Sequence, residues 1–148
     1  MTNYSLISKE IEALTSDVSD LIANLSNVLN TELTDINWVG FYLLKDDKLI
    51  LGPFQGKPAC VTISLGKGVC GTAVSTDSLQ LVKDVHTFPG HIACDSASNS
   101  EIVLPLHDKS GKVVAVLDID SPTLGRFSEA DVEGILLLQP VLEDIFNR

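Results

Sequence analysis

Three cysteines, Cys60, Cys70 and Cys94, lie in the middle third of the chain at spacings of 10 and 24. Their surroundings read Gly-Lys-Pro-Ala-Cys60, Gly-Lys-Gly-Val-Cys70-Gly and Phe-Pro-Gly-His-Ile-Ala-Cys94-Asp. A structural cysteine usually hides in an aliphatic run. These three sit where turns and strand ends are expected, within reach of solvent or ligand. An odd number of thiols in a reducing compartment argues against a structural disulfide framework. Inert thiols, metal ligands and a transient catalytic disulfide remain, and the placement favours redox chemistry. At a free pKa near 8.5 only about 3% of a thiol is ionised at pH 7, so an attacking cysteine needs local help. For Cys70 a helix N-terminus at 68–71 is one source of that help.

Acidic residues form a second constellation. The apolar run Val113–Leu117 ends in Asp118-Ile119-Asp120, which puts two carboxylates at i and i+2 on one face of a strand. Glu101 opens the preceding apolar run and falls nearby if the two strands pair. Two carboxylates ~5 Å apart repel by roughly 3 kcal/mol at an effective dielectric of 20. Such a group needs a cation, a shared proton or full solvation, and a solvated strand end is the plain alternative. Trp38, Gly40 and Tyr42 alternate along another strand and share a face. The glycine leaves either a gap for a ligand or a bulge within a core aromatic pair. Residues 86–95 carry His86, His91 and Cys94. That spacing matches no standard zinc finger, and the imidazoles serve equally as thiolate partners or as ordinary loop residues.

These residues need elements to hold them. Apolar residues from Ile7 to Leu29 recur every three or four positions, so residues 1–35 read as a helical segment. Strands are expected near 36–44, 49–54, 60–65, 101–107 and 112–119, with a short helix at 69–76. Residues 84–100 read as a long loop, of the kind that often carries function. Ser128 with Asp131 reads as the N-cap of a closing helix over 128–148, with a kink at Pro140. The expected class is α+β: an antiparallel sheet of five or six strands spanning 36–127. The terminal helices lie on one face and pocket-forming loops on the other. All of residues 1–148 fit one domain.

The net charge of −10 makes nucleic acid and anionic membrane poor partners. No apolar run is long enough to cross a bilayer and the start does not read as a signal peptide, so a cytoplasmic location is the default expectation.

Taken together, these segments resemble free methionine-R-sulfoxide reductases, enzymes built on a single GAF domain. The resemblance runs from about Trp38 to Asp131. It is carried by Trp38-Val39-Gly40-Phe41-Tyr42, Gly52 to Cys60, Gly66 to Gly71, Asp84 to Asp95, Ser100 to Val103 and Leu117 to Pro122. It implies reduction of free L-methionine-(R)-sulfoxide through a cysteine sulfenic acid and an intramolecular disulfide. Thioredoxin would be the electron donor, with no metal or organic cofactor. On this resemblance Cys94 is the attacking thiol, Cys60 the resolving one, and Cys70 a second resolver or a pocket-lining thiol. Glu101, Asp118 and Asp120 would hold the substrate ammonium, and the strand-end pair would contain the proton donor. Trp38 and Tyr42 would wall the S-methyl group, and backbone N–H groups of the 84–100 loop would hold the carboxylate. The rival classes are a non-enzymatic GAF ligand sensor and a Cys/His zinc module. Oligomeric state stays open, with a homodimer among the options.

Overall fold

The structure, a computed structural model, describes residues 2–13, 21–91 and 96–147. Within the helical segment expected over 1–35, the described residues form α1 (Tyr4–Ala13) and α2 (Leu21–Glu32). Ile7, Ile11, Leu25 and Leu29 from the predicted stripe are fully buried. Leu14 and Val18 lie outside the described residues. The chain then builds β1 (Trp38–Lys45), β2 (Lys48–Gly56), β3 (Thr62–Ser64), α3 (Gly68–Thr76), β4 (Gln80–Val82), β5 (Ser100–His107), β6 (Val113–Ser121) and α4 (Glu129–Phe146).

The six strands form one antiparallel sheet in the order β3-β2-β1-β6-β5-β4. The β1–β2 connection is a two-residue turn with Asp46 and Asp47 both at positive φ (52° and 62°), the backbone that matches the twist of a tight hairpin. Strand β2 runs past Pro53 because the register shifts there. Between Gly40↔Phe54 and Tyr42↔Leu51, one residue of β1 faces two of β2, Gly52 and Pro53. A bulge tolerates a residue that cannot donate to the ladder. Ser26 of α2 fastens this bulge by donating its hydroxyl to Pro53 O (3.0 Å). Pro105 in β5 is accommodated differently, because β4 pairs only with Glu101–Val103, and the Pro105 carbonyl accepts from Gln139 Nε2 of α4 (3.0 Å) instead.

Alternation along the strands divides the apolar residues between two cores. Val39, Phe41, Ile102, Leu104, Leu106, Leu117 and Ile119 face α1, α2 and α4. Trp38, Tyr42, Val103 and Val116 face the other way, against Ile63, Val69, Cys70 and Val85. The terminal helices thus share one face, as expected, while α3 and the loops cover the other. Helix α4 opens with the reciprocal Ser128–Asp131 capping box and runs on through Pro140. Among its described residues the long segment after β4 includes a 3-10 turn, Val85–Thr87, capped by the Asp84 side chain accepting from His86 N–H.

Candidate active site

Strand register brings the acids together. Asp120 lies opposite Trp38 on one side and Glu101 on the other, and Asp118 lies opposite Gly40 and Val103. The two-residue period therefore puts Glu101, Asp118 and Asp120 on one patch of the α3-covered face. All three are buried, at 8%, 5% and 9% exposure. A solvated strand end is ruled out. Asp118 Oδ1 is a buried carboxylate oxygen with no hydrogen-bond partner among the described residues. An unsatisfied polar atom of this kind costs about 1–3 kcal/mol, more when it is charged.

Burial, together with the Asp118 and Asp120 charges, pushes the Glu101 carboxyl well above the usual range. Burial also raises Asp118, but hydrogen bonding from Glu101, Asp120 and Cys70 opposes the rise. The strand-end pair, where the i, i+2 spacing places a raised carboxyl, does contain the raised Asp118, and Glu101 joins it as a second raised carboxyl. Spacing counts only charges on one strand, whereas Glu101 faces both aspartates from the neighbouring strand.

Cys70 sits in the first turn of α3 and is fully buried against these acids. Burial first, then Asp118, Glu101 and Asp120, push its thiol well above the ordinary range. The helix N-terminus does not make Cys70 a thiolate, so that expectation is corrected: three facing carboxylates and the loss of water outweigh a short helix dipole. Close packing fixes its place, since a Cβ on Gly71 would meet Ser64 O at 2.6 Å. Cys70, Glu101 and Asp118 offer donor atoms within 4.8 Å of one another, so among the described residues this group could hold a cation.

The aromatic pair forms the adjoining wall. Trp38 stacks on Tyr42 (centroids 5.9 Å apart) and on Phe54 (5.3 Å). The gap at Gly40 is filled from within the protein, because a Cβ there would meet Phe54 Cβ at 2.4 Å and Trp38 Cη2 at 2.8 Å. Both polar tips are spent on the cysteine segment: Trp38 Nε1–H donates to Lys57 O (3.1 Å) and Tyr42 O–H to Cys60 O (2.8 Å). Cys60 is half-buried and engaged in a disulfide, while Cys70 is a free thiol. Cys94 and Asp95 lie outside the described residues.

Trp38, Tyr42, Cys70, Glu101, Asp118 and Asp120 line one cleft, so six of the eight predicted site residues converge. Cys60 meets this cleft through the Tyr42 bond and through its neighbour Ala59, which lines it. His91, weighed in the sequence as a zinc ligand or thiolate partner, also lines it, as do Ser98 and Lys67, which the sequence did not mark as site residues. Ser98 accepts a hydrogen bond from Asn37 Nδ2 (3.0 Å), and Gly68 N–H donates to Gly90 O (3.2 Å), tying the start of α3 to the loop. Burial and the facing His86 lower His91, leaving it neutral at pH 7. His86 is exposed and bonds Asp84 (2.9 Å). Ser98 and Lys67 sit in irregular chain, where no periodicity marks them.

The GAF domain model matches residues 15–140. The free methionine-R-sulfoxide reductase of Escherichia coli is 52% identical over 145 residues, covering 96% of this chain and 87% of that protein. The reduced fRMsr structure of Staphylococcus aureus superposes with a TM-score of 0.92 at 50% identity, covering 98% of this chain and 96% of that one. The free methionine-R-sulfoxide reductase of Neisseria meningitidis in complex with its substrate gives a TM-score of 0.91 at 40% identity, covering 97% and 87%. A buried triple-acid cleft, walled by stacked aromatics that grip a disulfide-bonded cysteine, thus sits on a GAF scaffold shared along the whole chain. The chain belongs to the free methionine-R-sulfoxide reductases, a family of oxidoreductases.

Proposed function

We propose that this protein reduces free L-methionine-(R)-sulfoxide to L-methionine, using Cys94 as nucleophile and Cys60 as resolving thiol, with a protein dithiol of the thioredoxin type as electron donor. The observation that carries the reading is the buried carboxylate cluster, whose Asp118 Oδ1 has no partner among the described residues. An α-ammonium offers three donors and a positive charge to such a cluster. Methionine within a peptide has no ammonium, and its amide would leave the buried aspartates uncompensated.

The proposed steps give each group one role. The ammonium settles against Asp118 and Asp120, and the S-methyl group lies against Trp38 and Tyr42, a favourable sulfur–aromatic contact. The Cys94 thiolate attacks the sulfoxide sulfur as Glu101, kept protonated by burial and its two acidic neighbours, gives its proton to the oxygen. The oxygen passes to Cys94 as a sulfenic acid and methionine departs. The Cys60 thiol condenses with the sulfenic acid, releasing water and forming the Cys60–Cys94 disulfide. A dithiol then takes on that disulfide and returns both thiols. Cys60 in a disulfide beside a free Cys70 supports this division of labour. Cys70, buried and held as a thiol, lines the pocket and attacks nothing. The reaction so written needs no metal or organic cofactor.

Thioredoxin-coupled NADPH oxidation tests the reading with four substrates: R and S epimers, each free and N-acetylated. Turnover on the free R epimer alone is expected. Turnover on none of them while metabolite binding persists would favour a GAF ligand sensor.

A further inference from the structure

Residues 48–76 contain three lysines and no aspartate or glutamate, in a chain that has 20 acidic residues and a net charge of −10. This stretch covers β2, β3 and all of α3, and β3 is the outermost strand at its end of the sheet. Lys48, Lys57 and Lys67 are all exposed. Lys48 pairs in register with Ser64 of β3, and Lys67 N–H donates to Ser64 O (3.2 Å), so two of the lysines meet at the end of one short strand. The disulfide-bonded Cys60 lies two residues before the other end of that strand. Between them stands Val61, 66% exposed and the most exposed large apolar side chain among the described residues. Its carbonyl is engaged by Leu51 N–H (2.9 Å), which fixes the backbone and leaves the isopropyl group outward. Neither Val61 nor Lys48 lines the substrate cleft.

We propose that this basic rim around Val61 is the docking surface for the protein dithiol that reduces the Cys60 disulfide, and that the partner's face is apolar at its thiols and acidic around them. The proposal rests on the reductase reading above. A half-buried disulfide is reached by a bulky reductant only if the two surfaces lie flat together beside the sulfur. One exposed aliphatic contact flanked by like charges is suited to a transient complex of this kind. The charge pattern selects the partner. An acidic protein is repelled by most of this molecule and attracted here, and steering acts within a Debye length of about 8 Å at physiological salt. The partner thiolate attacks Cys60 Sγ, the disulfide breaks, and the departing thiolate takes up a proton. The partner's second thiolate then attacks the mixed disulfide and frees the Cys60 thiol. Two electrons and two protons have passed to this chain, and the partner leaves as a disulfide.

The test uses Val61→Asp and Lys48→Glu with NADPH, thioredoxin reductase and an acidic thioredoxin at saturating sulfoxide. Each variant should raise the KM for thioredoxin about fivefold or more, as expected for rim charges. The salt dependence of kcat/KM for thioredoxin should flatten in Lys48→Glu. Methionine released in the first turnover of pre-reduced protein, and turnover driven by dithiothreitol, should match the wild type, which also shows that both variants fold. A KM for thioredoxin within twofold of wild type in both variants would overturn the proposal. So would a Val61→Asp variant that changes only self-association, which would make the rim a contact between copies of this chain. If pre-reduced wild type releases no methionine at all, the reductase reading has failed instead.

Discussion

A carboxylate that holds the ammonium and one that delivers the proton should respond differently to loss of charge. Asp118→Asn should raise KM more than it lowers kcat, whereas Glu101→Gln should lower kcat by roughly 10²-fold. The raised Glu101 also sets the sign of two pH effects. Activity should fall as pH rises through its folded-state pKa, because the donor is lost. Stability should be fully present below the unfolded value near 4.3 and decline as pH rises toward the folded one, because the native state binds the extra proton. Glu101→Gln should therefore melt a few degrees higher than wild type at pH 7–8 while turning over more slowly, a trade seen where sites hold buried charge. Circular dichroism melts beside steady-state rates check both. For the thiols, Cys94→Ser should release no methionine, and Cys60→Ser should release one equivalent and then stall. A full burst from Cys94→Ser that is lost in Cys70→Ser would move the nucleophile to Cys70. The acids were legible in the sequence because a two-residue period fixes a face. That Glu101 is raised as well was not, because it depends on which strand lies beside which.

Between elements, the aromatic wall and the cysteine segment are one unit. Tyr42→Phe removes only the hydroxyl that donates to Cys60 O, a bond worth about 0.5–1.5 kcal/mol. The KM for sulfoxide should stay near wild type, while formation of the disulfide after the first turnover should slow severalfold in quenched-flow thiol counts. An unchanged rate would mean the hydroxyl does not position the resolving thiol. The sequence showed Trp38 and Tyr42 on one face but not that Lys57 and Cys60 would be their acceptors, since that contact depends on the bulge at Gly52-Pro53. Strand β4 was missed for a related reason. Three residues, Gln80–Val82, are too few to show a period, and only their pairing with Glu101–Val103 makes them a strand. The capping box of α4 was legible because its signal is local.

At the scale of the whole molecule, distant parts of the chain are joined by ion pairs that spacing along the sequence does not reveal. His107, at the end of β5, meets Glu143 of α4 through Nδ1 and Asp77, just past α3, through Nε2, both at 2.6 Å. Burial alone would lower its pKa, but the two carboxylates outweigh that and raise it. The contribution of this link is fully present below the unfolded value near 6.5 and is lost as pH rises through the folded one. His107→Gln should flatten the pH dependence of the melting temperature above pH 6.5; an unchanged profile would show that the link adds nothing. Tyr4 bonds Asp131 (2.8 Å), which Arg126 also holds (3.2 Å), so α1 is clasped to the cap of α4. No helix among the described residues is long and apolar enough to cross a membrane. All of this scaffolding surrounds one buried cluster of carboxyl groups, and the central proposal is that the cluster recognises a free α-ammonium. The most direct measurement is methionine or N-acetylmethionine released in a single turnover of pre-reduced protein, with no thioredoxin present. The free R sulfoxide should give at least one equivalent and the N-acetylated R sulfoxide almost none. Equal bursts from the two would contradict the account.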